Sequence, residues 1–456
     1  MSLRDPGAIL LVSCYELGHQ PLGLAFPMAF LERAGFRPDA VDLALDPLDA
    51  DQARRASLVA ISVPMHTALT IGVHAAEQVR RLSPAARICF YGLYAILNRE
   101  YLLEHGADTV LGGESDEALV ALAERIERGE APEPDRGPHL ARLDFPVPSR
   151  DRLPLLHRYA AFERDGARRV AGAVEASRGC LHQCLHCPIP PVYGGRFFVV
   201  PLEVVIEDVR RQVAAGARHM TFADPDFLNG PGHALRIVTA MHAAYPDLTF
   251  DFTAKVEHLL EHRALLPRFA AAGCAFIVTA AESLSDAVLQ KLDKGHTRED
   301  LQRALDAVRA AGITLRPSWL PFTPWATLDD YVELVDWLIA EDLVDCVEPV
   351  QLAIRLLVPP GSALLGRPEI LPFLKELDAE AFTWRWEHPD PRMERLYRTV
   401  SEIVHWANHT RKPVATTFRQ VRNAAYEAAG RRPAEALATH AERRPVAPRL
   451  TEPWFC

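Results

Sequence analysis

The sequence has no stretch of about 20 apolar residues, the length that a helix needs to cross a bilayer. Its longest run without Asp, Glu, Lys or Arg covers residues 56–76, and Pro64, His66 and two threonines interrupt that run. The first residues also lack the small-residue cleavage site of a signal peptide. We therefore expect a cytoplasmic protein without a membrane span.

Basic residues and cysteines are both in short supply. The 50 Lys and Arg against 60 Asp and Glu give a net charge of −10, whereas a nucleic-acid backbone attracts a basic surface. Eight cysteines in 456 residues are too few for a disulfide scaffold. The hydrophobic fraction of 49% is ordinary for a globular protein. We therefore expect a globular protein without a nucleic-acid partner.

Apolar runs alternate with amphipathic runs over residues 1–130. This alternation predicts parallel strands covered by helices on both faces, which is a doubly wound α/β domain. The predicted strands are residues 8–14, 40–45, 58–63, 86–92 and 108–113. Ligands of such sheets bind beyond the carboxyl ends of the strands, and the sequence places Gly92 and Gly113 at two of those ends.

A proline-rich polar segment over residues 131–165 predicts a linker. A second alternating series follows over residues 166–365. Its predicted strands are residues 172–177, 219–224, 248–254, 275–281, 314–320 and 347–353. Six strand–helix units are too few for a closed eight-unit barrel, so we expect a partial (β/α)6 barrel. Over residues 366–456, helical patterns at 392–410, 416–429 and 433–441 predict a helical C-terminal region.

Three cysteines, Cys180, Cys184 and Cys187, follow the first strand of the second series in the segment CLHQCLHC. Thiolates are soft ligands that select iron–sulfur clusters, zinc or copper(I). An electron-transfer cluster takes four cysteines, and here the loop offers three, which leaves one iron open to a chelating substrate. Two alternatives stay open: a zinc-binding protein whose site is closed by His182 or His186, and an iron–sulfur electron carrier with a fourth protein ligand.

The C-x3-C-x2-C motif after the first strand of a partial barrel resembles that of the radical S-adenosylmethionine (SAM) superfamily. The resemblance implies that Cys180, Cys184 and Cys187 hold a [4Fe-4S] cluster whose open iron binds SAM. It also implies that one-electron reduction cleaves a carbon–sulfur bond of SAM. The electron would come from an external donor such as flavodoxin or ferredoxin.

Further positions match the superfamily in part. The segment AAESLS resembles the Gly-x-Glu-Ser pattern, with an alanine in place of the glycine, and implies that Glu282 and Ser283 contact SAM. Lys255 follows the third strand, where a basic residue of relatives often neutralises the SAM carboxylate. The Gly-Gly-Glu of many members is absent after the second strand, and Asp224 or Asp226 is a candidate substitute. Arg316 in the fifth strand is a further candidate, because a charge inside the barrel needs a partner.

The N-terminal segment YGLYAILNREYLLEHGADTVLGGESDEAL resembles the cobalamin-binding domain of the B12-dependent subclass. The residues implied at cobalamin are Met65, His66, Thr67, Gly92, Gly113 and Glu114. The Asp-x-His-x-x-Gly motif of a lower axial histidine is absent, and His66 is either a cobalt ligand or a hydrogen-bonded structural residue. The domain could also be a vestige that binds nothing.

The final segment LTEPWFC resembles tails that read Cys-Cys-Ala-Glu-Pro or Cys-selenocysteine-Ala-Glu-Pro in one radical SAM group. The resemblance raises the hypothesis that a selenocysteine codon follows Cys456. Taken together, the sequence predicts a transferase that moves a methyl group from SAM to a small molecule or peptide with the help of cobalamin. The alternative within the same superfamily is transfer of the 3-amino-3-carboxypropyl group of SAM to a thiophilic acceptor such as arsenic.

Overall fold

The computed structural model describes residues 2–130, 137–433 and 447–452. Most of the helix predicted over residues 433–441 lies outside the described residues, and so does Cys456 with its tail motif. Within the described ranges, no helix combines the length and the apolar character that crossing a bilayer requires.

The N-terminal region forms the doubly wound sheet that the sequence predicts. Its strands are β1 (Ile9–Ser13), β2 (Asp39–Asp42), β3 (Leu58–Ser62), β4 (Arg87–Tyr91) and β5 (Thr109–Leu111). They lie in the order β2-β1-β3-β4-β5, and all neighbouring strands are parallel. The central strands β1 and β3 are buried at every residue, because helices cover both faces of the sheet.

Helices connect these strands. They are α1 (Leu22–Arg33), α2 (Ala50–Arg55), α3 (His66–Leu82), α4 (Leu93–Leu97), α5 (Arg99–Glu104) and α6 (Asp116–Glu127). The amino ends of α3 and α4 lie at the carboxyl edge of the sheet. Gly92 precedes α4 with a φ of 105°, and a Cβ there would lie 3.2 Å from the Val63 carbonyl. A glycine is therefore required by backbone packing at this turn.

A curled sheet of seven strands forms the second region. Its strands are β6 (Ala161–Arg164), β7 (Ala167–Val174), β10 (His219–Phe222), β11 (Thr249–Thr253), β12 (Cys274–Glu282), β13 (Thr314–Trp319) and β16 (Arg449–Leu450), while β8 (Ser177–Gly179) and β9 (Phe197–Val199) form a separate pair. The order is β13-β12-β11-β10-β7-β6-β16. From β7 to β13 the strands are parallel, which confirms the open barrel.

The parallel part of this sheet has five strands, whereas the sequence predicted six. The sixth predicted strand, residues 347–353, is a 3-10 helix over Pro349–Ala353. The 3-10 helix begins at Pro349, whose fixed φ and missing N–H suit the first position of a helical turn. At the other edge, β6 and β16 add two antiparallel strands that the sequence did not predict.

Helices cover the outer face of the curled sheet and build the C-terminal region. They are α7 (Ile189–Tyr193), α8 (Leu202–Ala214), α9 (Pro231–Ala244), α10 (Val256–Glu261), α11 (Leu266–Ala271), α12 (Asp286–Lys291), α13 (Arg298–Ala310), α14 (Leu328–Ala340), α15 (Pro391–Thr410) and α16 (Val414–Ala428). Between the barrel and α15, strands β14 (Leu374–Asp378) and β15 (Thr383–Trp386) form an antiparallel hairpin. The predicted helical C-terminal region therefore also contains a hairpin.

A buried arginine ties the segment between the two sheets to both of its neighbours. The Arg150 guanidinium donates to both carboxylate oxygens of Asp208 on α8, each at 2.8 Å. It also donates to the Gln20 side chain and to the Ala173 carbonyl, again at 2.8 Å. Only 10% of the Arg150 side chain and 3% of the Asp208 side chain are exposed, so neither charge has water as a substitute partner.

We expect Arg150→Ala to lower the free energy of unfolding by about 3–5 kcal/mol, because the change leaves the Asp208 carboxylate buried without its partner. Denaturant unfolding followed by circular dichroism measures this. Arg54→Ala is the matched control, since Arg54 pairs with Asp51 on an exposed helix surface and such pairs contribute little. Equal stabilities of the two variants would contradict the prediction.

Candidate active site

The three cysteines of the CLHQCLHC segment come together in the loop between β8 and α7, at the carboxyl end of β7. Cys180 and Cys184 are buried, Cys187 is half-buried, and all three are free thiols. Each thiol lies close enough to the other two to interact with them electrostatically. The Cys187 amide donates to the Cys184 carbonyl at 3.2 Å, which turns the loop back on itself. The spacing therefore does place three sulfur ligands at one location.

Burial without a metal disfavours the thiolate form of these side chains. It raises the pKa of the Cys180 thiol, and it raises the pKa of Cys187 to about 12. A bound cation reverses this preference, since cysteine ligands bind metal as thiolates and release protons on binding. The donor set of three soft sulfur atoms fits an iron–sulfur cluster.

Glu282 at the end of β12 fastens one side of the cysteine loop. Its Oε1 atom lies 3.1 Å from His186 Nε2 and accepts a hydrogen bond from Lys294 Nζ at 3.1 Å. Burial opposes ionisation of this carboxyl, yet the Lys294 ammonium and His186 hold the pKa of Glu282 well below its usual range. The Leu185 amide also donates to the Leu292 carbonyl at 3.0 Å. The loop is thus attached to β12 and to the end of α12.

Lys294 brings a buried positive charge to the thiols. The lysine is 3% exposed, and it interacts electrostatically with Cys184 and Cys187. Burial by itself would lower the pKa of Lys294, but the attraction to Glu282 together with that to the two thiols raises it. An ammonium ion therefore faces the position where the cluster of three thiolates would accumulate negative charge.

Lys255 and Asp226 fasten the other side of the loop. Lys255 Nζ lies 3.1 Å from His182 Nδ1 and donates to Glu257 Oε2 at 3.3 Å. Asp226 Oδ2 accepts from the Lys255 backbone amide at 3.1 Å and lies 2.9 Å from His258 Nδ1. Burial lowers the pKa of His182 to about 4, and the Lys255 ammonium adds to that effect. His182 is therefore neutral beside the lysine.

Two buried polar atoms beside the cysteines have no hydrogen-bond partner among the described residues. They are Asn229 Nδ2 and His186 Nδ1. Leaving a buried donor unsatisfied costs about 1–3 kcal/mol, so such atoms mark places where a bound group completes the structure. Asn229 could not be identified from the sequence, because an asparagine seven residues after the end of a strand carries no distinctive signal.

The remaining barrel candidates lie apart from the loop or have partners within the protein. Asp224 accepts from Ser177 Oγ at 2.6 Å and from the Ala176 amide at 2.9 Å, and burial raises the pKa of Asp224 to about 7. Ser283 Oγ accepts from the Ser285 amide at 3.0 Å. Arg316 pairs with Glu348 at 3.0 Å and donates to the Pro448 carbonyl. Arg316 thus fastens the segment that leads into β16.

A cavity of about 1300 Å³ lies between the two sheets and the C-terminal region. His186 and Glu282 line it on the barrel side, and Met65, His66 and Tyr94 line it on the side of the N-terminal sheet. The carboxyl edges of the two parallel sheets therefore face one another across a single space. The contact between His186 and Glu282 therefore forms part of the cavity wall.

Three N-terminal candidates lie at the contact between the sheets. Gly92 and Gly113 line a smaller crevice of about 300 Å³. A Cβ at Gly113 would lie 2.2 Å from the His139 carbonyl, so backbone packing accounts for this glycine. Glu114 accepts from the Tyr193 hydroxyl at 3.0 Å and pairs with Arg178 at 3.5 Å, and burial raises the pKa of Glu114 to about 7.

The β14–β15 hairpin closes the large cavity against the N-terminal sheet. Phe382 near its tip is 3% exposed and packs edge-on against Tyr101, with ring centroids 4.9 Å apart. His66 Nε2 lies 2.8 Å from the Ala381 carbonyl, and burial lowers the pKa of His66. His66, the first residue of α3, is therefore hydrogen-bonded to the hairpin. No local sequence pattern predicts this contact between distant segments.

Known proteins similar to this chain include a methylase and a tRNA-modifying synthase. The hopanoid C-3 methylase of Methylococcus capsulatus is 24% identical over 328 residues, which are 67% of this chain and 62% of that protein. The tRNA-2-methylthio-N(6)-dimethylallyladenosine synthase of Desulfosudis oleivorans is 26% identical over 176 residues, 37% of each chain. This chain thus spans less than two thirds of either relative.

Two solved structures share the fold. OxsB, a cobalamin-dependent SAM radical enzyme solved with aqua-cobalamin and SAM bound, superposes with a TM-score of 0.67 and 15% identity, over 88% of this chain and 66% of that chain. The radical SAM methyltransferase TsrM from Kitasatospora setae, solved with cobalamin and a [4Fe-4S] cluster, gives a TM-score of 0.58 and 20% identity, over 75% of this chain and 74% of that chain.

The family model described as the Radical SAM superfamily matches residues 174–338. This range begins at the last residue of β7, contains all three cysteines of the loop and ends within α14. The resemblance drawn from the cysteine motif is thereby confirmed: residues 174–338 form a radical SAM domain.

Proposed function

We propose that this chain is a transferase that binds a [4Fe-4S] cluster through Cys180, Cys184 and Cys187 and cleaves SAM reductively. The proposal rests on the proximity of three free thiols to the buried Lys294 ammonium and to two buried polar atoms without hydrogen-bond partners. These atoms are Asn229 Nδ2 and His186 Nδ1. The cluster, when bound, supplies an electron and an open iron for SAM. An external one-electron donor is part of this proposal.

The surroundings of the loop bear on the two alternatives. A zinc site closed by a loop histidine requires His182 or His186. In the structure one ring nitrogen of His182 lies against Lys255 and one of His186 against Glu282, which leaves the other nitrogen of each ring as the ligand that zinc would need. An electron carrier requires a fourth ligand, and Cys274 does not supply it, because Cys274 begins β12 while Glu282 ends it and a strand of that length separates them by roughly 26 Å.

The neighbouring residues have separate tasks in this proposal. Glu282 and Lys294 hold the loop in place and balance its charge. Lys255 is 8% exposed, and its ammonium pairs with Glu257 and contacts His182. We assign its third N–H group to the carboxylate of SAM. Carboxylates accept up to about four hydrogen bonds, so Glu282 can also contact SAM while it holds the loop.

We further propose that the large cavity accommodates cobalamin, and that the reaction is methyl transfer from SAM to a small molecule or peptide. The supporting observations are the cavity volume of about 1300 Å³ and its position at the carboxyl edge of the N-terminal sheet, where doubly wound domains bind ligands. Met65 and Tyr94 would contact the cofactor. His66 Nε2 is engaged by Ala381, so we assign His66 to holding the hairpin.

Replacing Cys184 with alanine should abolish cluster binding, because two thiolates do not hold the cluster in place. Anaerobic reconstitution followed by iron and sulfide determination should show near-complete loss, and SAM cleavage to 5′-deoxyadenosine should fall to background. Cys274→Ala is the control, since this cysteine is buried at the opposite end of β12. Normal iron content in Cys184→Ala would refute the proposal.

Glu282→Gln keeps the shape of the side chain but removes the charge between His186 and Lys294. We expect the affinity for iron to fall about 10–100-fold, the usual effect of losing an outer partner of a metal site. Competition with an iron chelator measures this. Glu299→Gln on the exposed first turn of α13 is the control. If Glu282→Gln binds iron as tightly as the control does, the contacts of Glu282 with His186 and Lys294 are not needed for iron binding.

Incubation of the full chain with hydroxocobalamin, followed by desalting, should leave about one cobalamin per chain in the visible spectrum. Met65→Trp should reduce this amount, because the larger side chain would occupy the cavity. Leu155→Trp is the control, since Leu155 is 66% exposed. If the unmodified chain retains no cobalamin, the proposed methyl transfer is wrong, whereas the proposed SAM cleavage is unaffected.

A further inference from the structure

The turn that follows β10 is fixed from several sides. It is a single 3-10 turn over Phe227–Asn229, and the Asp226 side chain accepts the Leu228 amide at 2.9 Å to begin it. The other oxygen of Asp226 is held by the Lys255 amide and by His258. Phe227 and Leu228 are 2% and 1% exposed. The last residue of the turn, Asn229, therefore has a defined position.

Asn229 uses that position to contact the cysteine loop. It is 6% exposed, and its Oδ1 atom accepts a hydrogen bond from the Leu181 backbone amide at 3.2 Å. The same oxygen lies 3.8 Å from Cys180 Sγ, with the thiol as donor. The other polar atom of the carboxamide, Nδ2, is buried and has no partner among the described residues.

Binding of a metal centre changes what Cys180 offers to this carboxamide. As a thiol, the cysteine donates to Oδ1. As a thiolate ligand it has no proton and becomes an acceptor. Oδ1 stays on the Leu181 amide and faces Cys180 Sγ. The unpaired Nδ2–H group of the same carboxamide is therefore the donor that remains for a sulfur atom of a bound cluster. Hydrogen bonds to the sulfur atoms of a cluster stabilise its more negative, reduced state and raise its potential.

We propose that Asn229 is a positioning residue of the cluster: Oδ1 holds the backbone of the loop beside Cys180, and Nδ2 donates to sulfur and raises the reduction potential. This inference rests on the proposed function, since it requires a cluster at the three cysteines. Asn229 acts through Cys180 and does not touch the reacting atoms.

The test is an anaerobic redox titration of the reconstituted full chain, with the reduced cluster followed by electron paramagnetic resonance. Asn229→Asp keeps an acceptor for the Leu181 amide, removes the donor and adds a negative charge. We expect the oxidised-to-reduced ratio at the original midpoint to rise about tenfold, a shift of about 59 mV to lower potential for a one-electron couple. Asn229→Ala should shift the midpoint in the same direction by less.

Gln212→Ala is the matched control, because it also removes a buried carboxamide from the barrel. Gln212 is 1% exposed and bonds to the backbone of Ala173 near the carboxyl end of β7. It should lower the melting temperature without moving the potential. An Asn229 variant that folds but loads no iron, while Gln212→Ala loads normally, also supports the positioning role.

Midpoint potentials of Asn229→Asp and Asn229→Ala that equal that of the unmodified chain would overturn the inference. This failure is distinguishable from failure of the proposed function, in which the unmodified chain itself binds no iron. The potential separates a tuning role from a merely structural one, because a loss of stability alone lowers the loading but leaves the midpoint of the loaded clusters unchanged.

Discussion

The carboxyl end of the barrel depends on holding three cysteine thiols together in a loop of eight residues. As thiolates they would repel one another, and burial would make each of them more costly. The Lys294 ammonium lies where it would offset that cost on the side of β12. Asn229 and Lys255 hold the loop on the side of β10 and β11. The loop is short, but its fixed position comes from strands that are far apart in the sequence.

The second organising feature is the closure of one space by three regions of the chain. The carboxyl edges of both parallel sheets face the cavity, and the β14–β15 hairpin bridges from the barrel side to the N-terminal sheet. Phe382 inserts at the end of that hairpin with a φ of 55°, a conformation that a bulky residue adopts only when its surroundings impose it. Packing of its ring against Tyr101 supplies that constraint. The hairpin is therefore part of the wall between the large cavity and solvent.

The two sheets and the grouping of the three cysteines could be predicted from the sequence, because apolar periodicity and ligand spacing are local signals. The hairpin of β6 and β7 also has a local sequence signal. Asp165 and Gly166 both have positive φ, as a two-residue turn between antiparallel strands requires, and Asp-Gly is typical of it. Conversely, Pro349 argued against the sixth predicted strand. The contacts of Asn229 and Phe382 carry no such local signal, since they depend on which distant segments pack together.

The Glu282 side chain contacts the cysteine loop and also lines the large cavity. The pairing of β12 with β13 shifts register between Ala280 and Glu282, and Glu282 has a φ of 62°. A bulge of this kind redirects the side chain that follows it. Here the carboxylate points to the cysteine loop, where His186 and Lys294 take up one of its oxygens. Glu282 also lines the large cavity, and a carboxylate can accept further hydrogen bonds there. Because one carboxylate fastens the cysteine loop and borders the cavity, displacing the loop would also change the cavity wall.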